Sequence, residues 1–489
     1  MEAVAAEFVD RRTLEQIHRR TLHILRHEVE PVPFTVYADF LVHWQHLHPG
    51  ERLSGEGALV KVLQQLRAAP VVGPTWERDV LPLRLLAYQP AELNALSQNG
   101  ELVWVGSGGT DPRRGRVRFL FRGEGDIYLE PVPDDLSFLS DHAQTIYDFL
   151  KSEGAVFFND ICAALDLEGT LVEPAIVELF MAGLVTNDSL DAMRTLIEEG
   201  APQPQERQPF SSLEEELTRR REALGLDRRR ITRRSDPARY RSAKRRVRQR
   251  LEQQGAVSQP VTRWVGRWTP VHRFGILGKP VSEGERAARQ ARQLLARHGV
   301  VSRISLDDEI GAWDWGLIYG QLKRMEMRGE IRRGYFVEGL PGLQFALPEV
   351  VEDLRSLRDA TPADDQLVVM NACDPANLYG PTREAGPLTA TGEDLAFSRV
   401  PSTWLVQHRG LPVLVASSTG SDVTTTQGVD ESLVVRALQA FLEHLENFEP
   451  RITVETWNGG PVLESEGQPL LEAVGFRRSY PAMVWDRRL

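Results

Sequence analysis

Cysteine is scarce: Cys162 and Cys373 are the only two in 489 residues, far apart in sequence. That excludes a disulfide framework and matches no thiolate metal spacing. No apolar run approaches the roughly 18–20 residues of a membrane span. The opening MEAVAAEFVDRR is acidic early and lacks the apolar core of a signal peptide. A reduced, cytoplasmic setting with no membrane contact is the expectation. Nucleotide-motor signatures are also missing. GILGKP (Gly275–Pro280) contains a Gly-Lys pair, but Phe274 and Pro280 stand where the phosphate-binding frame needs glycine and a hydroxyl. Ser417, Ser418 and Thr424–Thr426 lie in no G-x-S-x-G frame. No cofactor is expected.

What is present is an ordinary globular composition, 42% hydrophobic and 26% charged, in a chain too long for one core. The net charge of −11 hides an asymmetry. Residues 228–250 hold twelve Lys/Arg against the single acid Asp236, a local +11 that leaves −22 on the other 466 residues. Arg228, Arg229, Arg230, Arg233, Arg234, Lys244, Arg245 and Arg246 are the candidate polyanion contacts in that run. A solvated linker helix reads equally well. Histidines gather near the start (His18, His23, His27, His43, His46, His48), but no carboxylate or thiolate pattern completes a metal site, and none is expected.

Helical periodicity and turn residues divide the chain into five segments. Residues 11–135 read as a helical, winged-helix unit with a β-hairpin, and 136–200 as a winged-helix domain whose third helix stops at Gly183. Residues 201–262 form a basic, charged linker. Residues 263–360 read as another winged helix, opened by Ser282 and Glu285 at capping-box spacing. Residues 361–489 are α+β. The fold class is therefore α+β, with tandem winged helices and a β-rich, barrel-like C-terminal domain. In the third unit, a helix over 313–328 precedes strands over 330–337 and 343–346, joined by a turn in which Gly339 and Gly342 supply positive φ.

That wing carries Arg332, Arg333, Tyr335 and Phe336, cations beside planar rings that suit nucleic acid. In one reading Tyr335 and Phe336 pack the wing down and leave the two arginines to meet DNA. Arg267 and Trp268, like Arg263 and Trp264, repeat the cation–aromatic pairing; the tryptophans read equally as packing residues.

RRGYFVEGLPGLQFALP (Arg332–Pro348), CDPANLYG (Cys373–Gly380), TWERDVLP (Thr75–Pro82), the WQH within HWQHLHPG (His43–Gly50), GRW (Gly266–Trp268) and VETWNGGPVLESEGQPLLEAVGFRR together resemble the C-terminal region of the large helicase-related proteins, Lhr. The likeness runs from about Arg12 to the last residues, without the family's helicase motor motifs. It implies tandem winged helices, a shape similar to AlkZ-like DNA glycosylases, a nucleoid-associated role in DNA repair on single-stranded or damaged DNA, and a homo-oligomer. It also implies a uracil-type glycosylase whose catalytic aspartate lies near the C-terminus, where Asp486 is the matching acid and Arg487 and Arg488 would hold phosphates. A charged, frayed terminus is the plainer account of Asp486. Asp374 is the alternative acid, though in DPAN it suits a turn cap. The other functional reading is a non-catalytic DNA-binding module that docks on a separately encoded Lhr-like motor.

Overall fold

The computed structural model describes residues 13, 30–109, 111–199, 264–359, 365–381, 387–446 and 448–487. The chain forms two compact units, one of residues 1–90, 126–130 and 279–489, the other of 91–125 and 131–278. Among the described residues no helix is long and apolar enough to cross a membrane.

In the first unit, α1 (Phe34–Trp44) starts after Pro33 and buries Phe34, Tyr37, Ala38, Phe40 and Leu41, the spacing of one helical face. α2 (Ala58–Gln65) follows, then a π-helical turn over Trp76–Val80. α3 (Glu283–His298) begins at Ser282, whose hydroxyl accepts from the Glu285 N–H at 3.2 Å. After β1 (Val300–Val301), α4 (Trp315–Met327) is capped in the same way by Asp314, which accepts from the Leu317 N–H at 2.8 Å. Each cap satisfies a backbone donor that the first helical turn cannot. Next come the wing strands β2 (Arg332–Gly334) and β3 (Gln344–Ala346), in a sheet of order β1–β3–β2.

The first wing strand is shorter than its sequence suggests, because the backbone past Gly334 leaves the hairpin to meet Val32. The Val32 N–H donates to the Phe336 carbonyl at 2.8 Å, and the Glu338 N–H to the Val32 carbonyl at 2.9 Å. Gly339 and Gly342 do hold φ of 75° and 80° in the turn. Phe336 goes into the core while Tyr335 stays 59% exposed, so only one of the two aromatics packs the wing down.

α5 (Pro348–Asp359) leads to β4 (Leu367–Asn371), β5 (Trp404–His408), β6 (Leu411–Ser417) and β7 (Asp422–Thr425). The chain continues through α6 (Glu431–Leu445), β8 (Arg451–Val454), β9 (Thr456–Trp457), β10 (Gly460–Pro461), α7 (Gly467–Ala473), β11 (Arg477–Ser479) and β12 (Ala482–Asp486). A six-stranded sheet runs β4–β5–β6–β7–β9–β10, antiparallel except where β7 and β9 run parallel. Its period-2 alternation buries both faces. Val368, Met370, Leu405 and Val415 join the cluster around α1, whereas Val369, Trp404, Val406, Leu414 and Ala416 join the one containing α6. A second sheet, β8–β12–β11, closes the α6 core with Ile452, Val454 and Met483. Both sheets are open, so the barrel-like expectation is corrected: the strands divide between two sheets that each end in an edge.

The second unit contains the hairpin Leu102–Ser107 with Arg116–Phe121 and the helices Asp141–Glu153, Phe158–Leu165 and Gly169–Met181, the last ended by Gly183 at φ 71°. Strand Arg267–Pro270 lies between Val156–Phe157 and Val185–Asn187. It therefore pairs with strands of residues 136–200, although the sequence reading placed it at the start of the next domain.

Candidate functional site

The C-terminal sheet builds a cleft of about 590 Å³, lined by Glu446, Arg451, Gly475, Arg477, Arg478, Ser479, Val484, Trp485, Asp486 and Arg487. Strand alternation explains the placement. Ile452, Val454 and Met483 are fully buried, with Trp485 packed against the same core. Arg451 and Asp486 therefore take the opposite face, directly across from each other in the β8–β12 register. Arg477 sits opposite Val484 in the β11–β12 pair and so shares that face. Arg478 is held by Glu472 of α7, Nε to Oε1 at 3.0 Å. Arg487 is anchored at both ends: its N–H donates to the Pro450 carbonyl at 3.1 Å and Nη1 to the Glu446 carbonyl at 3.0 Å. Arg451, Arg477, Arg478 and Arg487 thus share the cleft with Glu446 and half-buried Asp486, a lining whose excess of cations suits a polyanion. The acid expected near the end of the chain is thus the last residue of a paired strand.

Asp374, the alternative acid, belongs elsewhere. It is fully buried, its two oxygens accept from Arg84 Nη1 and Nη2 at 2.8 Å each, and Oδ1 also accepts from the Ala376 N–H at 2.8 Å. Arg84 Nη2 further donates to Gln45 Oε1 at 2.8 Å, tying the HWQHLHPG segment to CDPANLYG just beyond TWERDVLP. With no solvent route and its charge neutralised, Asp374 is a turn cap and ion-pair partner, which corrects it as a catalytic candidate.

The other predicted contacts divide in three. Arg228, Arg229, Arg230, Arg233, Arg234, Lys244, Arg245 and Arg246 lie outside the described residues. Trp268 is fully buried against Trp104 and Trp264, with ring centroids 6.2 and 5.9 Å away, so it offers no face to a base and that expectation is corrected. Its neighbour Arg267 remains exposed, engaged with Asp188 at 2.7 Å. On the wing Phe336 packs inward as expected and Tyr335 does not. Arg333 is mostly buried against Glu326 at 3.3 Å and Arg332 pairs with Glu352 at 3.0 Å, while Tyr335 stands out to solvent. Arg451, Arg477 and Arg478 were missed from the sequence. The only signal was an arginine at the start of each of two β-like runs, RITV and RRS, and it does not say which strands pair.

A second cleft of about 570 Å³ in the same unit is lined by Phe40, His43, Trp44, His46, Glu51, Gln65, Asp353, Ser356 and Leu357. Burial lowers the His46 pKa, and burial together with Glu349 and Glu51 raises that of Asp353. Glu51 and Asp353 line it and no Lys or Arg does, unlike the arginine cleft. Among the described residues no group of three or more His, Cys, Asp or Glu is placed to hold a metal ion.

Comparison with known proteins agrees with this architecture. Residues 32–122 and 280–366 each match a winged-helix domain of the large helicase-related protein. A protein of Mycolicibacterium smegmatis named "Lhr helicase/ probable uracil glycosylase" is 29% identical over 486 residues, covering 94% of this chain and 28% of that protein. The "Lhr helicase/uracil glycosylase" of Escherichia coli is 25% identical over 98% of this chain and 30% of its own length. This chain thus spans under a third of either relative. The DNA glycosylase AlkZ of Streptomyces sahachiroi aligns over 85% of this chain and 96% of its own, at 15% identity and a TM-score of 0.42. The chain is a homologue of the large helicase-related proteins and carries two of that family's winged-helix domains.

Proposed function

We propose that this chain binds DNA in repair and removes uracil from it by hydrolysing the N-glycosidic bond, with Asp486 as the catalytic carboxylate. The observation that carries this reading is the pairing of Asp486 with Arg451 on the floor of a cleft in which four arginines face two acids. The names of the two relatives point the same way.

In this mechanism the arginines hold phosphates on either side of a nucleotide turned out of its stack, whose unstacking costs a few kcal/mol. The C1′–N1 bond of the deoxyuridine breaks and positive charge develops on the sugar ring. Asp486 stabilises that charge and accepts a proton from the water whose oxygen bonds to C1′. The departing uracil anion takes a proton from solvent, leaving an abasic site. A positioned base of this kind contributes typically 10²–10⁴-fold.

A uracil-containing duplex treated with the wild-type chain and then with alkali is expected to break at the uracil, and Asp486→Asn to cut at least about a hundredfold more slowly. No alkali-labile site with wild type, or equal rates in the variant, would remove the catalytic assignment.

A further inference from the structure

The turn between β11 and β12 presents Tyr480 at 92% exposure, the most exposed large apolar or aromatic side chain among the described residues. Such a ring gains nothing from folding where it stands, and its neighbours do not shield it: Ser479 and Pro481 are exposed too. The strands behind it are firmly placed. β12 pairs on both edges, with β8 and β11, and Ala482 and Met483 at its start are buried. Pro481 narrows the backbone freedom beside the ring. A rigid hairpin therefore holds one aromatic out in water, and the same two strands line the arginine cleft.

Aromatic side chains presented beside arginines stack on nucleic-acid bases or wedge between them. We infer that Tyr480 stacks into the bases of the DNA strand whose phosphates lie along Arg451, Arg477, Arg478 and Arg487. The argument for DNA over a protein partner is charge: exposed Arg477 and Arg478 lie on the strand leading from the tip, and Arg451 and Arg487 line the same cleft. From Tyr480 to Asp486 the chain runs six residues, at most about 20 Å at about 3.3 Å per residue. That equals up to about six base steps at about 3.4 Å. Tyr480 thus acts on a base about four to six nucleotides from the one at Asp486, gripping the flanking stack while the target nucleotide leaves it. This inference rests on the DNA-repair reading above, but its test does not depend on cleavage.

The full chain carrying Asp486→Asn, chosen to slow cleavage during the titration, is titrated with uracil duplexes bearing 2-aminopurine at successive positions on either side of the uracil. The expected result is a fluorescence change centred about four to six nucleotides from the uracil. Adding Tyr480→Ala should cut that change to less than about a third and weaken the Kd roughly fivefold or more, with Tyr480→Phe close to the parent. A flat profile, a change elsewhere along the strand, or an unaltered change in Tyr480→Ala overturns the inference. So does a Tyr480→Phe as impaired as Tyr480→Ala, since stacking needs the ring and not the hydroxyl. Thermal melts of each variant check the fold. Failure of the catalytic reading is scored separately, as the absence of abasic sites with wild type.

Discussion

Two aspartates near aromatic residues and arginines, Asp374 and Asp486, look alike in the sequence and differ wholly in environment. Asp374 shares a sealed pocket with Arg84 and Gln45, whereas Asp486 opens into a cleft. Removing one member of a buried ion pair leaves the other charge without compensation, typically costing about 3–5 kcal/mol. Asp374→Ala is therefore expected to lower the unfolding free energy measured in urea by about that amount, and Asp374→Leu combined with Arg84→Met to recover most of the loss. An Asp374→Ala chain as stable as wild type would mean that Arg84 finds water or another acid there. Asp486→Asn, on an accessible strand end, should leave the unfolding free energy within about 0.5 kcal/mol of wild type, as surface changes do. The turn-capping role of Asp374 was legible from DPAN alone, since an Asx cap needs only the next two residues. Its burial was not, because Arg84 lies 290 positions away.

The wing shows what one buried side chain does for an element. Gln344 is fully buried, accepts from the Phe336 and Val337 N–H groups at 2.7 and 2.9 Å, and donates to the Val337 and Leu340 carbonyls at 2.9 and 3.1 Å. It replaces the ladder bonds that the hairpin gives up when its first strand turns toward Val32. Leucine there would orphan two buried donors at about 1–3 kcal/mol each. Gln344→Leu is thus expected to destabilise the chain by about 2–6 kcal/mol and to speed amide exchange at Phe336 and Val337. Unchanged exchange at those two amides would show that the backbone is satisfied without it. The turn glycines and the helix before the wing were readable from local chemistry. The fate of Tyr335 and Phe336 was not: adjacent residues point to opposite sides, and only the segment around Val32 determines which side is the core.

Across the whole molecule, charge is uneven in sequence and in structure. The +11 run of residues 228–250 lies outside the described residues, and the arginines of the C-terminal cleft form a separate basic patch. Salt dependence discriminates between them, because each phosphate contact on single-stranded DNA contributes about 0.7 to the slope of log K against log salt. Replacing Arg228, Arg229, Arg233 and Arg234 by Ser should reduce the slope by about three if that run touches DNA. An unchanged slope would assign it to the linker and leave binding to the cleft. The sequence by itself determined the class of elements, the turn and cap residues, the charge asymmetry and the family resemblance, since these rest on neighbours within a few residues or on long motifs. Tertiary structure decided that the C-terminal strands form two open sheets, that strand Arg267–Pro270 pairs with Val156–Phe157 and Val185–Asn187, that Trp268 and Asp374 are buried, and that Asp486 faces Arg451 while Tyr480 projects from the turn. Those outcomes depend on strand pairing and burial between residues tens to hundreds of positions apart, where a one-residue change of register would move every side chain to the opposite face.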